Sequence, residues 1–315
     1  MADLRFETIS FLTDYGTSDE FVGVVKSVIR SIAPSVAVID ITHEIEPHDV
    51  RAGGLALARS AQYLAPGVVL GVVDPGVATE RKAIAIEVGD GQSYLVGPDN
   101  GLFAPAVSLV GGATGAVILD NTAYHLPAPG PTFAGRDIFA PAAAHLCLGV
   151  PMADLGTLID PLRLLPGVLA VSEQVDDGSI KAEILWIDRF GNAQLNVDPD
   201  DLAGWPDHVS VEGGRTTRTA QRVLSFAEIS TGSIGLLIDS YGLLSIAVDR
   251  GSAAFELQLN EGDALTLRPA EAGATAVSTP VSLGEKPTAT PPMPVQPESA
   301  ALGPEPLVPD RLEST

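Results

Sequence analysis

The chain has 315 residues, of which 45% are hydrophobic, so it holds enough apolar material for more than one buried core. Its formal net charge of −22 repels nucleic-acid phosphates and anionic lipid surfaces, which argues against a general polyanion-binding protein. The apolar runs are far shorter than the roughly 20 residues that span a bilayer, and no basic-then-apolar signal pattern opens the chain. We therefore predict a cytoplasmic protein with neither nucleic acid nor membrane as a partner.

The first half of the chain alternates short apolar runs with segments of helical periodicity. The pattern predicts strands at 8–14, 36–42, 68–74, 83–88, 93–97 and 116–120, and helices at about 21–32, 48–64, 101–109 and 136–148. The strand runs are apolar at consecutive positions, which is typical of strands covered by helices on both faces. We predict an α/β domain with a mainly parallel sheet over residues 1–168.

The texture changes after residue 168, where short apolar segments alternate with Gly, Asn and Asp turns. Such segments occur at 180–188, 192–197, 208–213 and 243–249, and they predict a small all-β, barrel-like domain over 169–269. Nine of the last 36 residues are proline, a composition that cannot bury enough apolar surface to offset its ordering entropy. Residues 270–315 are therefore predicted to be a disordered tail.

Two carboxylates follow apolar strands in the first domain. Asp14 ends the first predicted strand and Asp74 ends the third, each close to a glycine that permits a sharp turn. Ligands of parallel sheets bind at the carboxyl ends of the strands, although an Asp there is also a common helix cap. Two together favour a site, and a carboxylate such as Asp14 can accept hydrogen bonds from a ribose diol.

Other chemistries lack their signatures. The sequence has no G-x-G-x-x-G after the first strand, no G-x-x-x-x-G-K-[ST] and no G-x-S-x-G, which disfavours dinucleotide, P-loop and serine-hydrolase sites. The five histidines show no metal-binding spacing, and polar loop contacts explain His43 and His48 better than a metal does. We expect no metal.

The segment IDRFGN, residues 187–192, has two interpretations. It is an ordinary hairpin turn, or a cluster in which Asp188 holds an ammonium, Phe190 stacks on a base and Asn192 supplies an amide. The residues alone leave both open.

Seven segments, taken in order, resemble the S-adenosylmethionine (SAM) hydroxide adenosyltransferase family, whose relatives include fluorinating and chlorinating enzymes. They are TDYGTSDEFVG, DITHEIEPHDV, DPGVATER, GPDNGLF, TFAGRDIFAP, IDRFGN and DSYGLLSIAV, and the resemblance covers roughly residues 6–265. It implies an α/β domain, a β-barrel and a homotrimer whose sites lie between one subunit's first domain and a neighbour's second. The implied reaction is attack of water on ribose C5′ of SAM, which gives adenosine and methionine without a cofactor.

The resemblance also implies roles for individual residues. Asp14 binds the ribose hydroxyls; Asp19, Asp188 and Ser240 hold the methionine end. The adenosine is contacted by Phe190, Asn192, Ser245 and Val248, the last through its backbone.

The family associates its attacking water with an Asp, an Arg and a His. Asp74 and Arg81 match the first two, but the motif that normally reads T-F-H-G-R-D has Ala134 at the histidine position. A methyl group can neither accept a proton nor orient water, so activity is expected to be impaired. Either the chain is a natural variant in which Asp74 and Arg81 suffice, or the alanine was introduced to slow turnover, which the otherwise intact motif favours.

Three functions therefore remain: a hydrolase weakened by Ala134, a halogenase of the same fold, and a non-catalytic SAM or adenosine sensor. Asp74 argues against the halogenase, because a carboxylate beside a halide is electrostatically unfavourable. Arg136 and Asp137 of TFAGRDIFAP are expected to open a helix and satisfy buried loop carbonyls and amides.

Overall fold

The computed structural model describes residues 4–168, 170–213 and 216–271. The predicted tail lies outside these residues except for its first two positions.

The first domain is built on a seven-stranded sheet in the order β2-β1-β3-β5-β4-β6-β7. Its strands are β1 (Thr8–Thr13), β2 (Ala37–Thr42), β3 (Val68–Val72), β4 (Ala83–Val88), β5 (Ser93–Pro98), β6 (Ala113–Ile118) and β7 (Thr157–Ile159). Strands β2, β1, β3 and β5 are parallel neighbours, whereas β4, β6 and β7 pair antiparallel. The predicted α/β domain is confirmed, and β4 runs antiparallel because a tight turn at Gly89–Gln92 joins it to β5.

Helices cover both faces of this sheet. They are α1 (Phe21–Ile32), α2 (Val50–Ala61), α3 (Ala104–Leu109) and α4 (Ala140–Cys147). Helix α1 directs Val22, Val25 and Ile29 into the core that it shares with α4, while α2 and α3 pack in a second core on the other face. This sandwich explains why the strands are apolar at consecutive positions.

The second domain is a closed barrel. Its elements are β8 (Glu173–Gln174), β9 (Ile180–Ile187), β10 (Ala193–Leu195), β11 (His208–Gly213), β12 (Thr216–Arg222), β13 (Ile234–Ile238), β14 (Leu244–Val248), α5 (Ala253–Leu257) and β15 (Ala264–Ala270). Strand β10 pairs with both β14 and β9, so seven strands close around buried side chains such as Leu195, Val209 and Ile246. The predicted barrel is confirmed.

The two domains meet where α2 packs against the barrel. The Arg59 guanidinium lies 4.1 Å from the ring centre of Trp186 and 5.8 Å from that of Tyr241, in cation–π geometry. Burial lowers the pKa of Arg59. Arg51 forms an ion pair with Glu183 of β9. None of the helices in the described ranges is long and apolar enough to cross a membrane.

Candidate active site

A cavity of about 290 Å³ opens where β1 and β3 end. The two strands are parallel neighbours with Thr13 opposite Val72, so the residues that follow them emerge at the same edge of the sheet. Asp14 and Asp74 both line this cavity. The segment after β3 is held by Asn100, whose side-chain amide donates to the Val73 carbonyl at 2.8 Å.

Asp74 is held by Arg81. The Arg81 Nε donates to Asp74 Oδ1 at 2.9 Å and Nη2 donates to Oδ2, a bidentate pair. Both side chains are nearly buried, with 6% of Asp74 and 10% of Arg81 exposed. Burial raises the pKa of Asp74, while the charge and hydrogen bonds of Arg81 act in the opposite direction. The Gly76 amide also donates to this carboxylate. Arg81 and Gly76 thus orient Asp74, which lines the cavity.

Ala134 lies in the wall of the same cavity, with 6% of its surface exposed. It precedes a single π-helical turn, Gly135–Phe139, that continues into α4. The wall is tight here, because a Cβ added at Gly135 would lie 2.3 Å from the Tyr15 hydroxyl. The structure therefore brings Asp14, Asp74 and Ala134 to one cavity, with Arg81 bonded to Asp74.

Three aromatic rings line the cavity beside these groups. Tyr15 and Phe21 both pack near Phe133, with ring centres 5.8 Å and 5.1 Å from it. Burial, followed by the charges of Asp14 and Asp74, raises the pKa of Tyr15, so its phenol stays protonated at neutral pH. No local pattern marks these rings as part of a site, although Tyr15 directly follows Asp14 at a strand end.

Arg136 and Asp137 lie in the opening turn of a helical segment, as expected, but among the described residues their side chains bond to each other rather than to loop carbonyls and amides. Arg136 donates from Nε to Asp137 Oδ1 at 2.6 Å and from Nη2 to Oδ2 at 2.9 Å. The arginine also lies 5.0 Å from the centre of the Phe133 ring. A buried carboxylate needs a partner, and the adjacent arginine supplies one more directly than the loop backbone does.

The two histidines of THEIEPHD make polar loop contacts. His48, at φ 71°, donates its backbone N–H to Asp14 Oδ2 at 2.9 Å, and His43 contacts Thr13. No cluster of three or more His, Cys, Asp or Glu side chains within the described ranges is arranged to hold a metal ion.

The barrel supplies a second cavity, of about 630 Å³, lined by Phe190, Asn192, Phe226, Val248 and Arg250 among others. Beneath it, Asp188 organises the turn: Oδ1 accepts from the amides of Phe190 and Asn192 at 2.9 Å each, and Oδ2 accepts from the Asn192 side chain at 2.8 Å. Phe190 is 77% exposed at the edge of this cavity. The segment is thus a hairpin turn whose aromatic and amide groups also face a cavity.

The remaining predicted residues lie outside both cavities. Asp19 is exposed in the loop before α1, and Ser240 is exposed in the turn between β13 and β14. Ser245 is buried in β14, three residues before Val248.

The sequence of the chain matches known protein families over both domains. Residues 9–156 match the SAM hydroxide adenosyltransferase N-terminal domain, and residues 182–266 match the C-terminal domain of the same family. An (R)-S-adenosyl-L-methionine hydrolase of Salinispora tropica is 42% identical over 82% of this chain and 96% of its own. The chain belongs to the SAM hydroxide adenosyltransferase family.

Other relatives locate the chain within the SAM hydroxide adenosyltransferases. An (R)-S-adenosyl-L-methionine hydrolase of Thermus thermophilus is 41% identical over 81% of this chain and 96% of its own. A fluorinase of Actinoplanes sp. is 25% identical over 83% of this chain and 97% of its own. The crystal structure of an uncharacterized conserved protein from Thermotoga maritima superposes with a TM-score of 0.76 and 37% identity, covering 82% of this chain and all of that one.

Proposed function

We propose that this protein hydrolyses (R)-S-adenosyl-L-methionine to adenosine and L-methionine. The observation that carries the proposal is the buried Asp74–Arg81 pair, which faces a cavity shared with Asp14 and edged by Ala134. Three hydrolases of that name are 41–42% identical to the chain and a fourth is 32% identical, whereas the fluorinases it resembles are 24–26% identical.

In this mechanism the protein mainly positions a nucleophile. Asp14 accepts hydrogen bonds from the ribose hydroxyls, and Asp74, oriented by Arg81, accepts one from the attacking water. The water oxygen forms a bond to C5′ as the C5′–sulfur bond breaks, methionine leaves with the electron pair, and one proton is released. The sulfonium is already a good leaving group, so the reaction needs no cofactor, and the aromatic walls keep competing water away.

We propose that the barrel contributes the other half of each site, in a homotrimer whose sites lie between subunits. Support comes from the predicted ligands, which divide between two cavities: Asp14 lines the first, while Phe190, Asn192 and Val248 line the second. Asp19, Asp188 and Ser240 would then approach the methionine end, and Ser245 would back the adenine pocket.

Restoring the imidazole tests the proposal. The parent chain and its Ala134→His variant are incubated with epimerically pure (R)-SAM, and adenosine and methionine are followed by chromatography. We expect the variant to be faster by roughly 10²- to 10⁴-fold, the usual contribution of a general base. The matched control is Ala134→Leu, which fills the wall without an acid–base group and should not gain activity.

The same assay separates the alternatives. Binding of SAM without turnover by either chain would overturn the hydrolase and leave a sensor. Formation of 5′-chloro-5′-deoxyadenosine in chloride would indicate the halogenase, which the Asp74 carboxylate disfavours electrostatically.

A further inference from the structure

A buried hydrogen-bonded chain runs behind the loop that carries Asp14. The Thr13 side chain, at the end of β1, is fully buried, and its hydroxyl lies 2.9 Å from Nδ1 of His43, which is 5% exposed. The same hydroxyl accepts the Tyr15 amide at 3.2 Å, and the His43 carbonyl accepts the Gly16 amide at 2.8 Å. His43 is thus linked to Thr13, before Asp14, and to Gly16, after it, while Tyr15 is linked to His43 through the Thr13 hydroxyl.

The far side of the His43 ring faces a carboxylate. Its Nε2 lies 3.2 Å from Asp40 Oδ1, although the angle falls short of a full hydrogen bond, and Lys26 pairs with Asp40 Oδ2 at 2.6 Å. Partial burial alone would raise the pKa of Asp40, but Lys26 and His43 together lower it, so this group is a carboxylate at neutral pH. An unprotonated Nε2 would direct a lone pair at that negative charge.

These contacts select one tautomer of the neutral ring. The Thr13 oxygen accepts the Tyr15 amide, and within the described residues His43 Nδ1 is the group placed to accept the Thr13 hydroxyl proton, which requires an unprotonated Nδ1. Nε2 then carries the hydrogen, which points at Asp40.

The order carboxylate, imidazole, hydroxyl also occurs in nucleophilic enzymes, but Thr13 is unsuited to that role. Its side chain has no exposed surface and its oxygen is engaged by a backbone amide. The arrangement therefore fixes backbone rather than attacking a substrate.

We infer that His43, as the Nε2–H tautomer, is a positioning residue that acts through Thr13 to hold the Tyr15–Gly16 backbone and so to aim Asp14 at the ribose. This inference rests on the proposed function for the identity of the ligand. We call the contacts of His43 and Thr13 with the Tyr15–Gly16 backbone the brace. The backbone amide of His48, in the same β2–α2 connection, also donates directly to Asp14.

The tautomer is tested first, on the unmodified chain. Nitrogen-15 NMR at about pH 8, well above the ordinary histidine pKa, should show His43 protonated at Nε2 and unprotonated at Nδ1. The Nδ1–H tautomer would overturn the inference, whether or not the protein hydrolyses SAM.

The brace is tested by amide hydrogen exchange at Tyr15 and Gly16. His43→Leu and Thr13→Val each remove the hydrogen bond between the Thr13 hydroxyl and His43 Nδ1. Amide exchange at Tyr15 and Gly16 should then accelerate by about tenfold or more. His43→Asn, whose Oδ1 occupies the place of Nδ1 and can accept, should restore slow exchange. Unchanged exchange in both disrupting variants would refute the brace, and this readout needs no ligand.

Adenosine affinity then connects the brace to the site. Calorimetry should show the dissociation constant rising about tenfold in His43→Leu and Thr13→Val, and by less than about threefold in His43→Asn. The matched control is His145→Leu, because His145 is a half-buried histidine of the same domain, whose ring centre lies 5.0 Å from that of Tyr124. If the control weakens adenosine as much as His43→Leu does, the effect is general destabilisation and the inference fails.

Discussion

At the scale of the single residue, Asp74 is subject to two opposing influences. Burial raises its pKa, and the Arg81 guanidinium resists that rise. In the proposed mechanism Asp74 acts as a carboxylate, because the charged form is the stronger acceptor for the attacking water. Activity should therefore fall as the pH drops through the raised pKa of Asp74, at a pH above its ordinary value of 3.8.

Substitution of Arg81 should show how far this residue lowers the pKa of Asp74. In the Ala134→His background, Arg81→Met leaves burial opposed only by the weaker Gly76 hydrogen bond, so the acidic limb of the kcat profile should move towards neutral pH. Arg81→Lys keeps a positive charge without the bidentate geometry and should give a limb between the two. Acidic limbs that coincide in all three proteins would show that Arg81 does not set the charge of Asp74.

Three residues of the cavity could be predicted from the sequence, because their position relative to a strand or a motif is a local property. Asp14 and Asp74 directly follow apolar strands, and Ala134 interrupts a recognisable motif. Sequence reasoning assigned no role to Tyr15 or Thr13, because their importance comes from contacts across the fold. Tyr15 covers Gly135, 120 positions later, and Thr13 meets His43 through a strand pairing that no local pattern encodes.

At the scale of the elements, two glycines allow β3 and β5 to accept an aromatic ring. The Phe103 ring, 2% exposed, packs over Gly71 of β3 and Gly97 of β5. A Cβ at Gly97 would lie 2.1 Å from the Gly71 carbonyl oxygen and 2.8 Å from Phe103 Cζ. Because the Gly71 carbonyl belongs to the backbone of β3, it cannot move aside as a flexible side chain could. Asp74 lies two residues beyond the end of β3, so a shift of this strand would reach the cavity.

A pair of glycine-to-alanine changes tests this packing. Gly97→Ala should lower the free energy of unfolding by about 1–3 kcal/mol or more, the cost of overpacking. Gly23→Ala, in helix α1 with no atom within 4 Å of the added methyl, should raise it by about 0.5 kcal/mol. Urea unfolding of both at one protein concentration measures the difference, and equal effects would contradict it.

The elements themselves were largely predictable, because apolar runs and helical spacing are local properties. Their directions were harder to derive. The antiparallel course of β4 depends on the tight turn before β5, and the π-helical turn before α4 shows in the sequence only as a charged pair among apolar residues. Pairing partners and a helix's first turn are decided by tertiary packing.

At the scale of the whole molecule, the division of ligands between two domains allows a test of shared sites. Asp74→Asn damages the first cavity and Asn192→Leu the second, so each variant alone should be inactive in the Ala134→His background. Co-expressed and assembled at random into rings, they should recover up to about a quarter of the activity, since one site in four joins two intact halves.

The control is to mix the two purified variants without allowing subunits to exchange, which should give no activity. Light scattering should report three chains per particle for each protein. Failure of the co-expressed pair to recover any activity would place both halves of a site within one chain. The sequence could not decide this by itself, because assembly was implied only by the resemblance.

Closure of the barrel also affects how the molecule can associate. Seven of its strands leave no unpaired edge, and in the other sheet the edges are β7, only three residues long, and β2, whose Asp40 carries a charge paired with Lys26. Long, flat, uncharged edges are what let sheets join end to end into fibrils. Because the sheet edges in the described residues are closed, short or charged, we expect copies of the chain not to join edge to edge into fibrils at high concentration.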